Sequence, residues 1–454
     1  MRDKALWLGC LAYAALFTGL GALKYAVHRN LIDFGIFAQT AASAFGCFCN
    51  AIEGSHWAFH FSPILYVAGG AVALAHFPLT LIALQAVAGA LVAPPLYALA
   101  LRRSASTTIA RGAALVAWLY PPLAGLVFGD FHENGFAPAA VAWMLYAFDA
   151  GFIGWAALAA LVTLSIKEDQ ALFLIAAGAL GAWAYRGTPR GRTAGVVAIV
   201  AAAVALLFFA VIQPHAALAA NAGWQPERFY AWQTGDARNL LGNIGARLGF
   251  LVLIFLPLMF LPLRSRFIWL AVLPLAEVLL SRMPTTFTLG THYAGAWIGY
   301  VLVAYAAAIG GLQARTARRA IAACVALCVV EFAVANPLHP RLNLRLVEAR
   351  DVALDRFLAR FPAGANVATQ EEAYTHLALR DPTVTLLPEL PQTPARACLI
   401  LVDRAFPESA RLREYGAALA ALVRSRRYAP VTQQGTITLY SSCASASAAR
   451  AGQP

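Results

Sequence analysis

"HFSPILYVAGGAVALAHF", residues 60–77, is apolar enough to pass for a membrane-crossing helix, and whether it crosses decides the topology on both sides of it. Two further apolar runs flank it, at 5–23 and 79–101. Arg2 and Lys4 precede all three, and Arg102, Arg103 and Arg111 follow them. Basic clusters stay on the cytoplasmic side, so an even number of crossings separates them and one run does not span. The stretch with His60 and His76 at its ends and the Gly69–Gly70 pair inside is the one expected to lie in, or dip into, the outer interface.

The whole composition agrees with a polytopic membrane protein. The chain has 454 residues, 60% of them hydrophobic and 12% charged, a balance that a water-soluble surface does not permit. Mean hydropathy is +0.65. The net charge of +12 sits in short clusters between apolar runs, without a long polybasic or aromatic-interleaved stretch, so it reports topology and not nucleic-acid binding. The first run, Ala5 to Leu23, lacks a small-residue cleavage pattern and is expected to remain as an uncleaved signal anchor.

Arginine clusters at 186–192, 264–266 and 315–319 continue the alternation. Spans are expected near 112–128, 136–149, 151–166, 170–186, 194–213, 243–263, 267–281, 294–312 and 320–336, about eleven in all with the first and third runs. The N-terminus is then cytoplasmic. Residues 1–337 form a mainly α transmembrane domain whose outer loop, 26–78, carries interfacial helices. Residues 338–445 are soluble in character and extracytoplasmic by parity, and 446–454 form a flexible tail. Within that soluble segment "NVATQ", "TVTLLP", "CLILVD" and "TITLYSS" read as strands, and 346–361 and 408–427 as helices, which makes a small α/β domain. No GxGxxG or GxxxxGK[ST] motif supports a nucleotide pocket there.

Cys10, Cys324 and Cys328 fall inside expected spans, where a thiol acts as a small apolar group. Cys47 and Cys49 are too close in sequence for an easy bridge, whereas Cys398 and Cys443 have room to pair in an oxidising compartment.

Three groups of acids stand out: Asp33 with Glu53, Asp130 with Glu133, and Glu168 with Asp169. The topology places all three on the outer side, with His28, His60 and His132 beside them. An ionisable group at membrane depth is costly unless it is paired or faces a watery cavity, so the clustering points to a shared polar cavity. Solvated hairpin tips are the plainer explanation. Lys167 stands out for its rarity, the other lysines being Lys4 and Lys24, and a compact ammonium suits a phosphate oxygen. An ion pair with Glu168 or Asp169 would also account for it. In the loop 214–242, Trp224, Phe229, Tyr230 and Trp232 alternate with charged residues, as in an aromatic belt or a sugar-stacking surface. "SRMPTTFTLGTHY" adds Arg282 and His292 to the same side, and Glu277 and Glu331 lie near outer span ends. Asp130, His132 and Glu133 are also of the ligand types that take a divalent metal, without a complete ligand spacing.

Taken in order, "DFGIFAQ", "HFSPILYV", "FGDFHENGFAP", "IKEDQALFL" and a mixed C-terminal domain resemble an uncharacterised family of bacterial multi-spanning proteins known by a domain-of-unknown-function label. That family in turn resembles the C-type glycosyltransferase superfamily. The resemblance implies transfer of a sugar from a polyprenyl-phosphate donor to an acceptor outside the cytoplasm, in the bacterial inner membrane. It implies that Asp33, just after span one, is the catalytic base or orients the acceptor. By the same resemblance Asp130 matches an acid after span three, and Lys167 a lysine that contacts donor phosphate. His60, His132, Glu133, Glu168, Asp169, Arg282 and His292 complete the candidate substrate-binding set. Relatives commonly carry paired acids at the first position, whereas Asp33 is followed by "FGIFAQ". The partners expected are a polyprenyl-phosphate-linked sugar and membrane lipids; the acceptor is not specified. Two other readings use the same polar groups: a transporter or flippase with the acids as proton relays, and a catalytically idle scaffold. No internal repeat of the kind common in transporters is present.

Overall fold

The computed structural model describes residues 2–219, 237–338, 345–387 and 397–442. The loop aromatics Trp224, Phe229, Tyr230 and Trp232, Cys443 and the tail 446–454 lie outside the described residues. The chain divides into two compact units: Met1–Leu20, Trp57–Val67 and Ile82–Asn343 form the first, and Gly21–His56, Ala68–Leu81 and Leu344–Pro454 the second.

The first unit is helical. Four helices are long and apolar enough to cross a membrane: Lys4–Ala26, Leu79–Ser104, Pro189–Ala217 and His292–Gly310. A fifth candidate joins Thr107–Leu119 to Pro121–Phe128 across a 50° bend. The bend has a local cause. Tyr120 is extended (ψ 114°) because the ring of Pro121 excludes α conformation at the residue before it. The helices of this group meet different surroundings. Trp297, Tyr300 and Tyr305 on the helix Gly295–Gly310 are fully buried, while Ile199 and Leu206 on Pro189–Leu207 and Leu8 and Leu11 on the first helix are exposed. An outward apolar surface on long helices is what lipid-facing packing produces.

The helix within 60–77 is Leu65–Leu74, ten residues and therefore about 15 Å long, half of a ~30 Å hydrocarbon core. Two expected spans are interrupted. Within 243–263 the α-helix Ile244–Phe255 ends before Pro257, and Met259 and Phe260 adopt left-handed backbone between two short 3-10 turns, the second containing Pro262. Within 267–281 a 3-10 segment, Arg266–Ala271, precedes the short helix Val272–Leu280.

In the second unit, helix Ile32–Ala42 buries Phe34 to Ala41 without a break. Gly35 on it leaves room for the Tyr374 ring, which a Cβ at that position would strike. Gln39 ties the two segments together: its Nε2 donates to the carbonyls of Asp381 (3.0 Å) and Val384 (2.9 Å), and its Oε1 accepts from Tyr374 Oη (3.2 Å). A hairpin of β1 (Cys49–Asn50) and β2 (Gly54–Ser55) follows. Cys47 and Cys49 are disulfide-bonded, contrary to the expectation from their spacing. Phe48 between them has φ +48°, which curls the chain until their Cα atoms stand 5.2 Å apart, inside the range a disulfide requires.

The C-terminal segment contributes a five-stranded sheet from β3 (Val367–Thr369), β4 (Thr385–Leu386), β5 (Leu399–Asp403), β6 (Tyr428–Gln434) and β7 (Ile437–Ser442), in the order β4-β3-β5-β7-β6. The first three pair in parallel and the last three antiparallel. Helix Ala410–Arg424 buries Tyr415 and Leu419 against Ile400, Val402, Tyr428 and Tyr440. Helix Ala349–Ala359 begins with a capping box, Glu348 receiving the N3 backbone and Asp351 returning to the Glu348 N–H at 2.8 Å.

Candidate functional site

The polar residues of the first unit gather where three short segments meet, and the backbone holds those segments before any charge acts. The segment 60–64 is pinned by a hydrogen bond from Ile64 N–H to the Ser165 carbonyl (2.8 Å). The turn 129–134 is pinned by Gln85, whose Nε2 donates to the carbonyls of Leu126, Val127 and Asp130 at 3.1–3.2 Å and whose Oε1 accepts from His132 N–H at 3.0 Å. The corner 167–169 opens helix Glu168–Ala184, with Lys167 as its extended N-cap residue and both acids in the first turn, where the helix dipole favours negative charge.

Glu168 and Asp169 then separate. His60 Nδ1 lies 2.9 Å from Glu168 Oε1, and Phe61 N–H donates to Oε2 at 3.0 Å. Lys167 Nζ pairs with Asp169 Oδ2 at 3.4 Å. The hairpin ion pair anticipated for Lys167 is therefore present, and its partner is Asp169. Lys167, Glu168 and Asp169 are all buried, at 3–4% exposure. Burial opposes charge on Lys167, but the carboxylates of Asp169, Glu168, Glu133 and Glu277 outweigh it and hold the ammonium above its ordinary pKa. Burial likewise pulls His60 down, and Glu168 against its ring pushes it up to about 9. An ammonium carries three donors, so the Asp169 pairing leaves Lys167 capacity for an anionic oxygen.

His132 Nδ1 stands 2.9 Å from Glu133 Oε2, and its ring stacks on His292 at 3.9 Å. Glu133 is wholly buried, and its Oε1 has no hydrogen-bond partner among the described residues; the same holds for Ser62 Oγ, Gln170 Oε1 and Tyr300 Oη. Buried polar atoms without a partner are costly unless a ligand or water satisfies them. An apolar cavity of about 710 Å³ is lined by Ile64, Leu84, Leu91, Phe136, Trp143 and Trp155, among others, Ile64 and Phe136 lying on the same segments that carry His60 and Glu133.

The structure thus brings His60, Glu168, Asp169, Lys167 and Glu133 into one electrostatic group, with His132 and His292 beside Glu133. Asp130 is buried on the Gln85-pinned turn, and Arg282 is exposed after the helix Val272–Leu280. Asp33 belongs to the second unit, half-buried in the first turn of helix Ile32–Ala42. Sequence reasoning gave Gln85 no role, because a lone glutamine in an apolar run carries no motif. It noted Glu277 only as an acid near a span end; its carboxylate acts on Lys167 and interacts with Asp169 and Glu168. Among the described residues, Asp130, His132 and Glu133 do not bring three ligand atoms within 4.8 Å of one another, whereas His28, Asp355 and His376 do.

The fold thus combines a helical unit with a buried ionic group and a second unit with a sheet built on the C-terminal segment. Solved structures with this fold include ArnT from Cupriavidus metallidurans, bound to undecaprenyl phosphate and in the apo state. Each gives a TM-score of 0.55 at 12% identity and covers 96% of this chain and 99% of that one, a likeness of fold. The chain belongs to the DUF2079 family of predicted membrane proteins, whose model matches residues 27–439. No curated protein sequence matches it.

Proposed function

We propose that the chain is a membrane glycosyltransferase of the bacterial inner membrane, taking a sugar from a polyprenyl-phosphate donor and passing it to an acceptor on the outer side. The observation that carries this reading is the buried Lys167–Asp169 pair in one electrostatic group with His60, Glu168 and Glu133, close in sequence to an apolar cavity that starts at Ile64 and Phe136. Such a donor has a phosphate head and an isoprenoid tail, and it needs both a cation and an apolar groove. The transfer is an inverting displacement at the anomeric carbon. The acceptor oxygen attacks while its proton passes to a carboxylate, and the bond to phosphate breaks with its electrons left on the phosphate oxygen. Lys167 offsets that charge, with Arg282 and His292 as further donors. Asp33 is the proposed base, on its position after the first span.

Binding of polyprenyl phosphate to the purified chain tests the donor half. Wild type is expected to bind it, and Lys167→Met with Asp169→Asn to lose about 1.5–3 kcal/mol, roughly 10- to 150-fold, the range for a hydrogen bond to a charged group. Equal binding by the folded double variant removes Lys167 from phosphate recognition.

A further inference from the structure

The second unit contains a histidine pair that the proposed transfer does not use. His28 follows the first helix with left-handed backbone (φ +54°) and is buried. His376 ends the short helix Glu371–Leu377, and its ring stacks on that of His28 at 3.9 Å. Asp355, on helix Ala349–Ala359, lies against both.

Backbone carbonyls hold the outer ring nitrogens. His28 Nδ1 is 2.9 Å from the Glu372 carbonyl, and His376 Nε2 is 3.0 Å from the Tyr25 carbonyl. A carbonyl only accepts, so these two nitrogens carry protons; His376 Nδ1 is left with its lone pair, while His28 Nε2 also faces the Asp351 carbonyl at 3.4 Å. Those two, His28 Nε2 and His376 Nδ1, stand 3.4 and 3.1 Å from the same oxygen, Asp355 Oδ1. The carboxylate is an acceptor as well. One potential ligand atom from each of the three residues lies within 4.8 Å of the other two.

One proton serves one imidazole and the carboxylate and leaves the second imidazole facing only acceptors. Two protons place two cationic rings in stacking contact. A divalent cation satisfies all three atoms together. Ligands about 2.0–2.1 Å from a tetrahedral zinc stand roughly 3.3 Å from each other, and the two Asp355 distances fall at that value. Outer imidazole nitrogens donating to backbone carbonyls are the usual support of metal-bound histidine.

We propose that His28, Asp355 and His376 form a site for a divalent first-row cation of the zinc class, with the fourth position open to solvent beside the half-exposed Asp355 carboxylate. Two imidazoles and one carboxylate suit zinc, cobalt or nickel and exclude the all-oxygen preference of magnesium and calcium. The cation joins the segment after the first helix to two helices of the C-terminal segment, so it acts as a staple within the second unit.

The test uses the full chain in detergent, stripped with a chelator and then loaded with ZnCl2 or CoCl2. Wild type is expected to retain about one equivalent by elemental analysis, to show the visible bands of four-coordinate cobalt, and to melt at higher temperature when loaded. Asp355→Asn, at a half-exposed position that spares the fold, and His376→Gln are expected to weaken uptake at least about tenfold and to lose the cobalt bands. No uptake by stripped wild type overturns the proposal. Uptake and bands that are unchanged in both variants overturn it as well, because they assign the metal to other residues.

Discussion

His60 and Glu168, 108 residues apart in sequence, meet with Nδ1 2.9 Å from Oε1, and this contact divides the two acids of the "IKEDQ" corner between two bases. With Glu168 taken by His60, Asp169 is left to Lys167. The corner is thereby close to charge balance, and the lysine is tethered by one carboxylate where two are adjacent in sequence.

The His60–Glu168 pair gives a pH signature. His60 is held at about 9 in the fold against about 6.5 in an unfolded chain, so its contribution is complete below pH 6.5, declines from there to 9 and is gone above. Thermal melting of wild type and His60→Gln between pH 6 and 9.5 is expected to show the largest gap at pH 6 and almost none at 9.5. A gap constant across that range contradicts the assignment.

Lys167→Met strips the ammonium from a buried carboxylate. The expected loss is about 3–5 kcal/mol, the cost of breaking a buried pair from one side. Adding Asp169→Asn removes the stranded charge, so the double variant is expected to recover most of the melting temperature. If the single variant melts with wild type, the pair carries no strain to relieve and the lysine faces solvent.

Gly35 makes a prediction for the second unit. Tyr374 is fully buried, and its hydroxyl is held by Gln39, so its ring cannot move aside for a methyl group. Gly35→Ala is expected to cost about 1–3 kcal/mol and to accelerate amide exchange along helix Glu371–Leu377. Gly46→Ala, with no atom nearer than 3.6 Å, is the control and is expected to be near neutral.

Much of this was legible in the sequence, for reasons that can be named. "CLILVD" and "TITLYSS" are dense in β-branched and apolar residues, and both became central strands of the sheet. β6, "YAPVTQQ", gave no signal because it is a polar, mostly exposed edge strand where Pro430 is tolerated and the register shifts before Thr432. Run length alone suggested a span over 243–263, and the prolines at 257 and 262 broke it. The rarity of lysine drew attention to Lys167, but its choice of Asp169 depends on His60 returning from another segment. The Cys47–Cys49 bridge depends on one left-handed residue, Phe48, which local composition does not announce. The His28–Asp355–His376 convergence joins segments more than 300 residues apart and leaves no local motif.

Sugar turnover tests the central claim most directly. Wild type in proteoliposomes supplied with polyprenyl-phosphate-linked sugars is expected to consume donor and release polyprenyl phosphate. In Asp33→Asn the amide keeps the shape of the carboxylate at the start of helix Ile32–Ala42 but takes no proton, and helix-terminus effects account for only about 0.3–1 kcal/mol of stability. Folded Asp33→Asn is therefore expected to turn over donor about 10²- to 10⁴-fold more slowly. Donor left intact by wild type, or equal turnover by the two proteins, contradicts the account.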